Sequence, residues 1–272
     1  MVGNQPRILY YDCETSPLKA WVWGLGEQYV RHGQLDKNHN MWGIICVTYC
    51  WNDGSPAKCI GWGYEEQDTA KVVREFDEII KQADQTIGKN SDRFDTKMIN
   101  SCRMFSGLPG MPDWTLYTDD LEKQMRKHFR LPSQSLDYIS AQLGLGGKIK
   151  MEMQDWIDIV ERNANGLKSY KKMCKYGMKD VEDTRTLWNK LSEHFTPKFK
   201  RSIWQAQQQG NTSSTKEIRC NYAECGSTNL SKNGIAYAGQ TAYQRYLCKD
   251  CHRHAGRWPM AAVEKAEKAK KE

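Results

Sequence analysis

The run Met41-Trp42-Gly43-Ile44-Ile45-Cys46-Val47-Thr48-Tyr49-Cys50-Trp51 is the feature that most limits what this chain can fold into. It is the strongest β segment, and it does not alternate apolar with polar. A strand of that kind is buried on both faces, so something must cover each side of its sheet. Asn52-Asp53-Gly54 reads as a turn and residues 57–64 as the returning strand, which makes a hairpin. Residues 7–12 form an earlier strand that closes on Asp12, and residues 15–41, without periodicity, form a long irregular loop.

Downstream the period changes. Val72, Val73, Phe76, Ile79 and Ile80 recur at helical spacing in residues 67–82. Thr86-Ile87-Gly88 reads as a short strand and Asp95 to Phe105 as a helix ended by Gly107 and Pro109. Leu116 to Asp119 is a fifth strand, entering a helix that runs to about Phe129. Further helices are expected from Ser133, as cap, to Leu143, and over 152–162 and 167–193. The order predicts an α/β domain whose mixed five-stranded sheet, flanked by helices, carries an antiparallel hairpin on one side and parallel strands on the other. Such sheets bind ligands beyond the strand carboxyl ends where strand order reverses. Asp12 and Glu14 are expected just past the end of the first strand, at that place.

Four acidic residues follow this frame: Asp12 and Glu14 in Tyr10-Tyr11-Asp12-Cys13-Glu14, Asp95 after Asn90-Ser91-Asp92-Arg93-Phe94, and Asp180 in Tyr176-Gly177-Met178-Lys179-Asp180. Two residues apart on an extended chain, Asp12 and Glu14 point to one face. Tyr176 and Asp180, four apart on a helix, share a face as well. Clustered carboxylates repel one another unless a cation lies among them. Asp92, three residues before Asp95, competes for the same role. Asp119 and Asp120 read as helix caps.

These motifs resemble the DnaQ-like exonucleases of the ribonuclease H-like superfamily, in the subgroup whose third motif is Tyr-x-x-x-Asp and which includes the proofreading domains of many DNA polymerases. Asp119-Asp120-Leu121, Ser135 to Ile139, Leu143 to Gly146 and Lys148 resemble stand-alone phage and bacterial members. The resemblance covers about residues 7–195. It implies a ribonuclease H-like fold, two Mg²⁺ or Mn²⁺ ions, and metal-dependent 3′–5′ hydrolysis of nucleic acid, with DNA favoured over RNA. It further implies that Asp12, Glu14 and Asp180 hold one ion and that Asp12 and Asp95 hold the second. Tyr176 then orients the attacking water, and Asn90 and Phe94 shape the pocket for the terminal nucleotide. Lys89 departs from the family, where many relatives place His. A polymerase or another replication or repair protein is an implied partner. The cytoplasm of a bacterium or of a phage-infected host is the implied location. Two alternatives stay open: a non-catalytic nucleic-acid-binding or recruitment factor, and an exoribonuclease or structure-selective nuclease using the same site.

The C-terminal part differs in chemistry. Residues 196–272 carry 14 Lys and Arg against 6 Asp and Glu, a net of +8, while residues 1–195 carry 26 against 27, a net of −1. A basic segment beside a near-neutral body points to a polyanionic partner. Within it, Cys220-x₄-Cys225 and Cys248-x₂-Cys251 have the two-knuckle spacing of a structural zinc site holding one Zn²⁺. The pattern resembles the zinc ribbons of transposases and phage proteins. Arg245, Lys249, Arg253 and Arg257, with Tyr243, Tyr246 and Trp258, point to phosphate neutralisation and base stacking. His252 and His254 offer substitute ligands, though with four cysteines present they read as solvated or phosphate-facing.

The expected organisation is an exonuclease domain over 1–195, a linker over 196–216, a zinc ribbon over 217–258 and a charged tail over 259–272. Cys13, Cys46, Cys50, Cys59, Cys102 and Cys174 are expected to be packed thiols, in a reducing compartment. With a strand expected almost at the N-terminus no signal peptide is expected, and no stretch is apolar for long enough to span a bilayer.

Overall fold

The computed structural model describes residues 5–38, 41–108, 118–146, 149–199, 218–220, 225–238 and 241–260. The chain divides into two compact units, Met1–Arg201 and Ser202–Glu272. Leu116, Tyr117 and Lys148, the stretch 200–217 and the tail 261–272 lie outside the described residues, as does the side chain of Arg257.

The larger unit is built on a five-stranded mixed sheet. Its strands are β1 (Ile8–Thr15), β2 (Ile44–Trp51), β3 (Lys58–Gly61), β4 (Gln85–Gly88) and β5 (Thr118–Asp120), in the order β3-β2-β1-β4-β5. The pairs β3–β2 and β2–β1 are antiparallel; β1–β4 and β4–β5 are parallel. Helices α1 (Thr69–Ile80), α2 (Asp95–Phe105), α3 (Leu121–His128), α4 (Leu136–Gln142), α5 (Met153–Glu161) and α6 (Gly166–Leu191) cover it. The double burial expected of β2 is seen: Ile44 to Cys50 are all buried. One core gathers Leu9, Tyr11, Val47 and Tyr49 with Val73 and Phe76 of α1. The other gathers Tyr10, Cys50 and Ile87 with Leu121, Ile139 and Val181.

Local chemistry explains the helix starts. The Asp68 side chain caps α1, accepting from the Lys71 amide at 3.0 Å. Asp120 caps α3 through the Glu122 and Lys123 amides at 2.9 and 3.2 Å. The cap of α4 is Ser135 rather than Ser133, because its hydroxyl meets the Tyr138 amide at 3.2 Å. Ser133 instead sits in the turn before the helix, bonded to Ser135.

The end of the first strand differs from expectation. β1 does not stop at Asp12 but continues to Thr15, since β2 keeps pairing with it: Asp12 faces Thr48 and Glu14 faces Cys46. Only Ile8 to Tyr10 pair with β4. Asp12 and Glu14 therefore lie inside an antiparallel ladder, beyond the point where the parallel ladder ends. The chain also stays attached to the larger unit through Phe199. The Thr196 amide donates to Gln124 Oε1 at 3.0 Å, the Lys198 amide to Asp119 Oδ1 at 2.8 Å, and Phe199 is buried.

The smaller unit is an antiparallel three-stranded sheet, β6 (Leu230–Ala238), β7 (Thr241–Cys248) and β8 (His254–Pro259), in sequence order. Among its described residues Cys220, Tyr246, Cys248 and Ala255 form a buried cluster.

Candidate metal centres and their surroundings

The face of the larger sheet that meets α6 is laid out in rows by the strand register. One row runs Asp12–Thr48–Cys59, the next Glu14–Cys46–Gly61. Side chains of one row share a face, because alternate residues point the same way. α6 crosses above them. A Cβ on Gly177 would lie 2.8 Å from Thr48 Cγ2, so the helix reaches this separation only because position 177 has no side chain. The adjacent positions Tyr176 and Asp180 are thereby lowered toward Asp12 and Glu14.

The electrostatics record that proximity. Desolvation pushes the Asp12 carboxyl well above the usual carboxylate range; Asp95, Glu14 and Asp180 add to the rise in that order, and Lys89 opposes it. Asp95 opens α2 and is 2 % exposed. Burial raises its pKa, while its Oδ1 accepts the Cys13 amide of β1 at 2.9 Å, which limits the rise. Tyr176 donates its hydroxyl to Asp180, and its own pKa is driven far above the ordinary phenol value by desolvation first and then by Asp180 and Glu14. The phenol stays protonated at neutral pH. Four carboxyl groups from β1, α2 and α6 thus act on one another through the structure. Carboxylate oxygens are the ligands that hard divalent cations take.

The competing Asp92 faces elsewhere. Its carboxylate meets Lys123 at 2.7 Å and Lys198 at 3.3 Å. Asp119 and Asp120 are both buried, and Asp120 holds the second motif in place. Its Oδ1 accepts the Asn90 amide at 3.0 Å and its Oδ2 the Asp92 amide at 3.2 Å. Asn90 has φ 61°, the left-handed region that Asn tolerates better than most residues. Phe94 precedes α2 and is 43 % exposed, leaving its ring free to stack on a planar group. Lys89 forms an ion pair with Glu122 at 2.9 Å and also reaches Asp12 electrostatically. Lys89 thus brings a cation within electrostatic reach of Asp12. A cleft of about 300 Å³ between α4 and α6 is lined by Asp137, Ser140, Asp180 and Asp183.

In the smaller unit Cys220, Cys225, Cys248 and Cys251 bring their sulfurs within 4.8 Å of one another. Cys220 and Cys251 Sγ are 3.7 Å apart, Cys225 and Cys248 Sγ 3.6 Å. A regular tetrahedron with Zn–S bonds of about 2.3 Å has edges of about 3.8 Å, so the four could hold a metal such as zinc. Arg245, Lys249 and Arg253 are exposed, and Arg245 is in register with Arg257 on β8. His252 and His254 are exposed, and His254 Nδ1 is 3.4 Å from Asn233 Nδ2. The aromatic expectation needs correcting. Tyr246 is 7 % exposed and packs edge-on against Trp258, centroids 5.4 Å apart. On β7 the even positions Gln244, Tyr246 and Cys248 face inward, so Tyr246 is core and not a stacking platform for bases.

No family model and no curated protein matches the chain. Among solved structures it is similar to the family B DNA polymerase from the hyperthermophilic archaeon Pyrobaculum calidifontis, with a TM-score of 0.51 and 15 % identity. The match covers 89 % of this chain and 32 % of the polymerase, so the chain spans about a third of that protein's length. At that identity the likeness speaks to the fold, an α/β mixed sheet. Among the described residues no helix is long and apolar enough to cross a membrane.

Proposed function

We propose that this chain is a metal-dependent 3′–5′ exonuclease acting on nucleic acid, DNA in preference to RNA, and that its basic smaller unit is a zinc ribbon that grips the substrate. The observation that carries this reading is the Asp12 carboxyl, pushed up by desolvation first and then by Asp95, Glu14 and Asp180, with Lys89 opposing the rise. Burying mutually repelling carboxylates costs stability, and a cation site is the function that uses them. The fold shared with a family B DNA polymerase and the exposed arginines of the ribbon support the same reading.

In this reading Asp12, Glu14 and Asp180 hold one Mg²⁺ or Mn²⁺ ion and Asp12 with Asp95 a second. When bound, two such ions supply the acidity of the attacking water and neutralise charge on the phosphate. The protein's own groups do the rest. Tyr176, protonated and fixed to Asp180, presents its hydroxyl as a positioning donor or acceptor for water. Its raised pKa removes it as a general base. Phe94 stacks on the terminal base, and the Asn90 segment, pinned by Asp120, fixes where that nucleotide stops.

End-labelled single- and double-stranded DNA and RNA, digested side by side with and without Mg²⁺, test the proposal. Stepwise loss of 3′ nucleotides from DNA is expected. Binding without digestion in either metal would make the chain a recruitment factor. Faster digestion of RNA would make it an exoribonuclease, and internal cuts a structure-selective nuclease. A chain ending after residue 199 is expected to cleave short oligonucleotides, bind long ones more weakly, and show a shallower salt dependence, since fewer counterions are released. An unchanged salt slope would reassign the ribbon to a protein partner, with a polymerase the first to examine.

A further inference from the structure

Cys46, Cys59 and Cys174 were expected to be separate packed thiols, yet their sulfurs lie within 4.8 Å of one another. They come from β2, β3 and α6, and no spacing rule links them. The register explains the meeting: Cys46 pairs with Gly61, and Cys59 lies two residues before Gly61 on the same face. Cys174 descends on them from the helix. Two further details make the place a built one. Gly61, directly across from Cys46, has no side chain, and a Cβ there would collide with the Tyr170 hydroxyl. Tyr170 is one helical turn before Cys174, and its phenol feels all three cysteines. Cys59 and Cys174 are partly exposed, which gives an ion a way in.

We propose that Cys46, Cys59 and Cys174 form a second soft-metal site, a three-thiolate site for a d¹⁰ cation such as Zn²⁺, with the Tyr170 hydroxyl or a water completing the set. Thiolates select such ions, and three sulfurs leave one position of a tetrahedron for oxygen. The trigonal grouping favours a metal over a dithiol, because a disulfide uses two sulfurs and strands the third. The consequence is mechanical. The ion would staple the β2–β3 hairpin to α6 two residues before Tyr176, fixing the helix that presents Tyr176 and Asp180. The site stands on the cysteine geometry and does not depend on the exonuclease reading.

The test uses the full chain, stripped of metal under anaerobic reducing conditions and titrated with Cd²⁺. The thiolate-to-cadmium ultraviolet band is followed, and it ignores ions held by carboxylates. Two equivalents are expected to develop the band, one from the ribbon and one from the triad. Cys59→Ser should lose one equivalent, and Cys248→Ser should lose the other while the triad's remains. Zn²⁺ should raise the melting temperature of the larger unit in Cys248→Ser and not in Cys59→Ser. The wild-type count guards against a misfolded variant: a single equivalent there overturns the site. Two equivalents persisting in a folded Cys59→Ser overturn it as well. A disulfide found between two of the three cysteines, with no second metal bound, would replace it by a redox pair.

Discussion

The acidic cluster of the larger unit and the four-cysteine cluster of the smaller one gather ligands in opposite ways. Asp12, Asp95 and Asp180 come from a strand and two helices spread over most of the chain. A sheet with two full cores holds them together whether or not a cation is present. Cys220, Cys225, Cys248 and Cys251 lie within one short segment, and among the described residues two of them share a buried cluster with Tyr246 and Ala255, against which Ile218, Leu230 and Trp258 pack. In the first case the fold builds the site. In the second a bound metal would help build the fold, because a short segment with a small core has little to set against the entropy of ordering the chain. Repulsion can therefore be stored in the first and not in the second.

The largest effect expected from this contrast is on chelation of zinc or in Cys248→Ser. Structural Zn²⁺ in small domains is worth on the order of 10 kcal/mol. The smaller unit should lose its amide protection in hydrogen exchange while β1, β2 and α6 keep theirs. Retained protection of β7 in the zinc-free protein would break the comparison. Next comes Asp12→Ala or Asp180→Ala. Cleavage should fall roughly 10³-fold or more, since several kcal/mol of metal-derived stabilisation disappear. The metal-free melting temperature should nevertheless hold or rise, because a repelling charge has gone. A folded Asp12→Ala protein cleaving at the normal rate would defeat the mechanism.

Tyr176→Phe keeps the ring and loses the positioning hydroxyl, so turnover should drop by roughly 10² with metal affinity little changed. Single-turnover cleavage alongside Mn²⁺ titration separates the two. Gly177→Ala sets a methyl group against Thr48. A cost of about 1–3 kcal/mol is expected from overpacking, with a denaturant midpoint to measure it and a parallel loss of activity as α6 lifts. An unaffected midpoint would show that the helix is free to shift. The smallest effect is the pH dependence of the metal-free protein. Asp12 has a higher pKa folded than unfolded, so the folded state holds a proton the unfolded chain releases. The stability this gives is complete below the ordinary carboxylate value near 3.9 and is lost as pH rises through the raised one. Lowering pH from neutral toward about 5 should raise the metal-free melting temperature of the larger unit. That rise should shrink in Asp12→Asn and disappear under saturating Mg²⁺.

Much of this was legible in one dimension, for identifiable reasons. The apolar run at 44–51, the helical period at 72–80 and the turn at Asn52-Asp53-Gly54 are local signals, and the elements appear where those signals lie. The mixed sheet follows from their order. The four ribbon cysteines were legible because knuckle spacing is set by the chain itself. The carboxylates were read only as motifs in an order; strand alternation puts Asp12 and Glu14 on one face, while Asp95 and Asp180 are placed by the helices that carry them. Boundaries governed by pairing were not legible: β1 runs on to Thr15 because β2 offers partners, and Ser135 takes the cap that Ser133 was expected to fill.

Residue chemistry along the chain thus determined the α/β class, the uneven division of charge and the four-cysteine set that could hold a metal. Tertiary structure alone decided that Lys89 lies near Asp12, that Tyr246 is core, that Gly177 lets α6 down onto Thr48, and that Cys46, Cys59 and Cys174 share one place. The physical reason is the same in each case. These contacts join residues whose separation along the chain carries no periodicity, so only strand register and helix packing could bring them together.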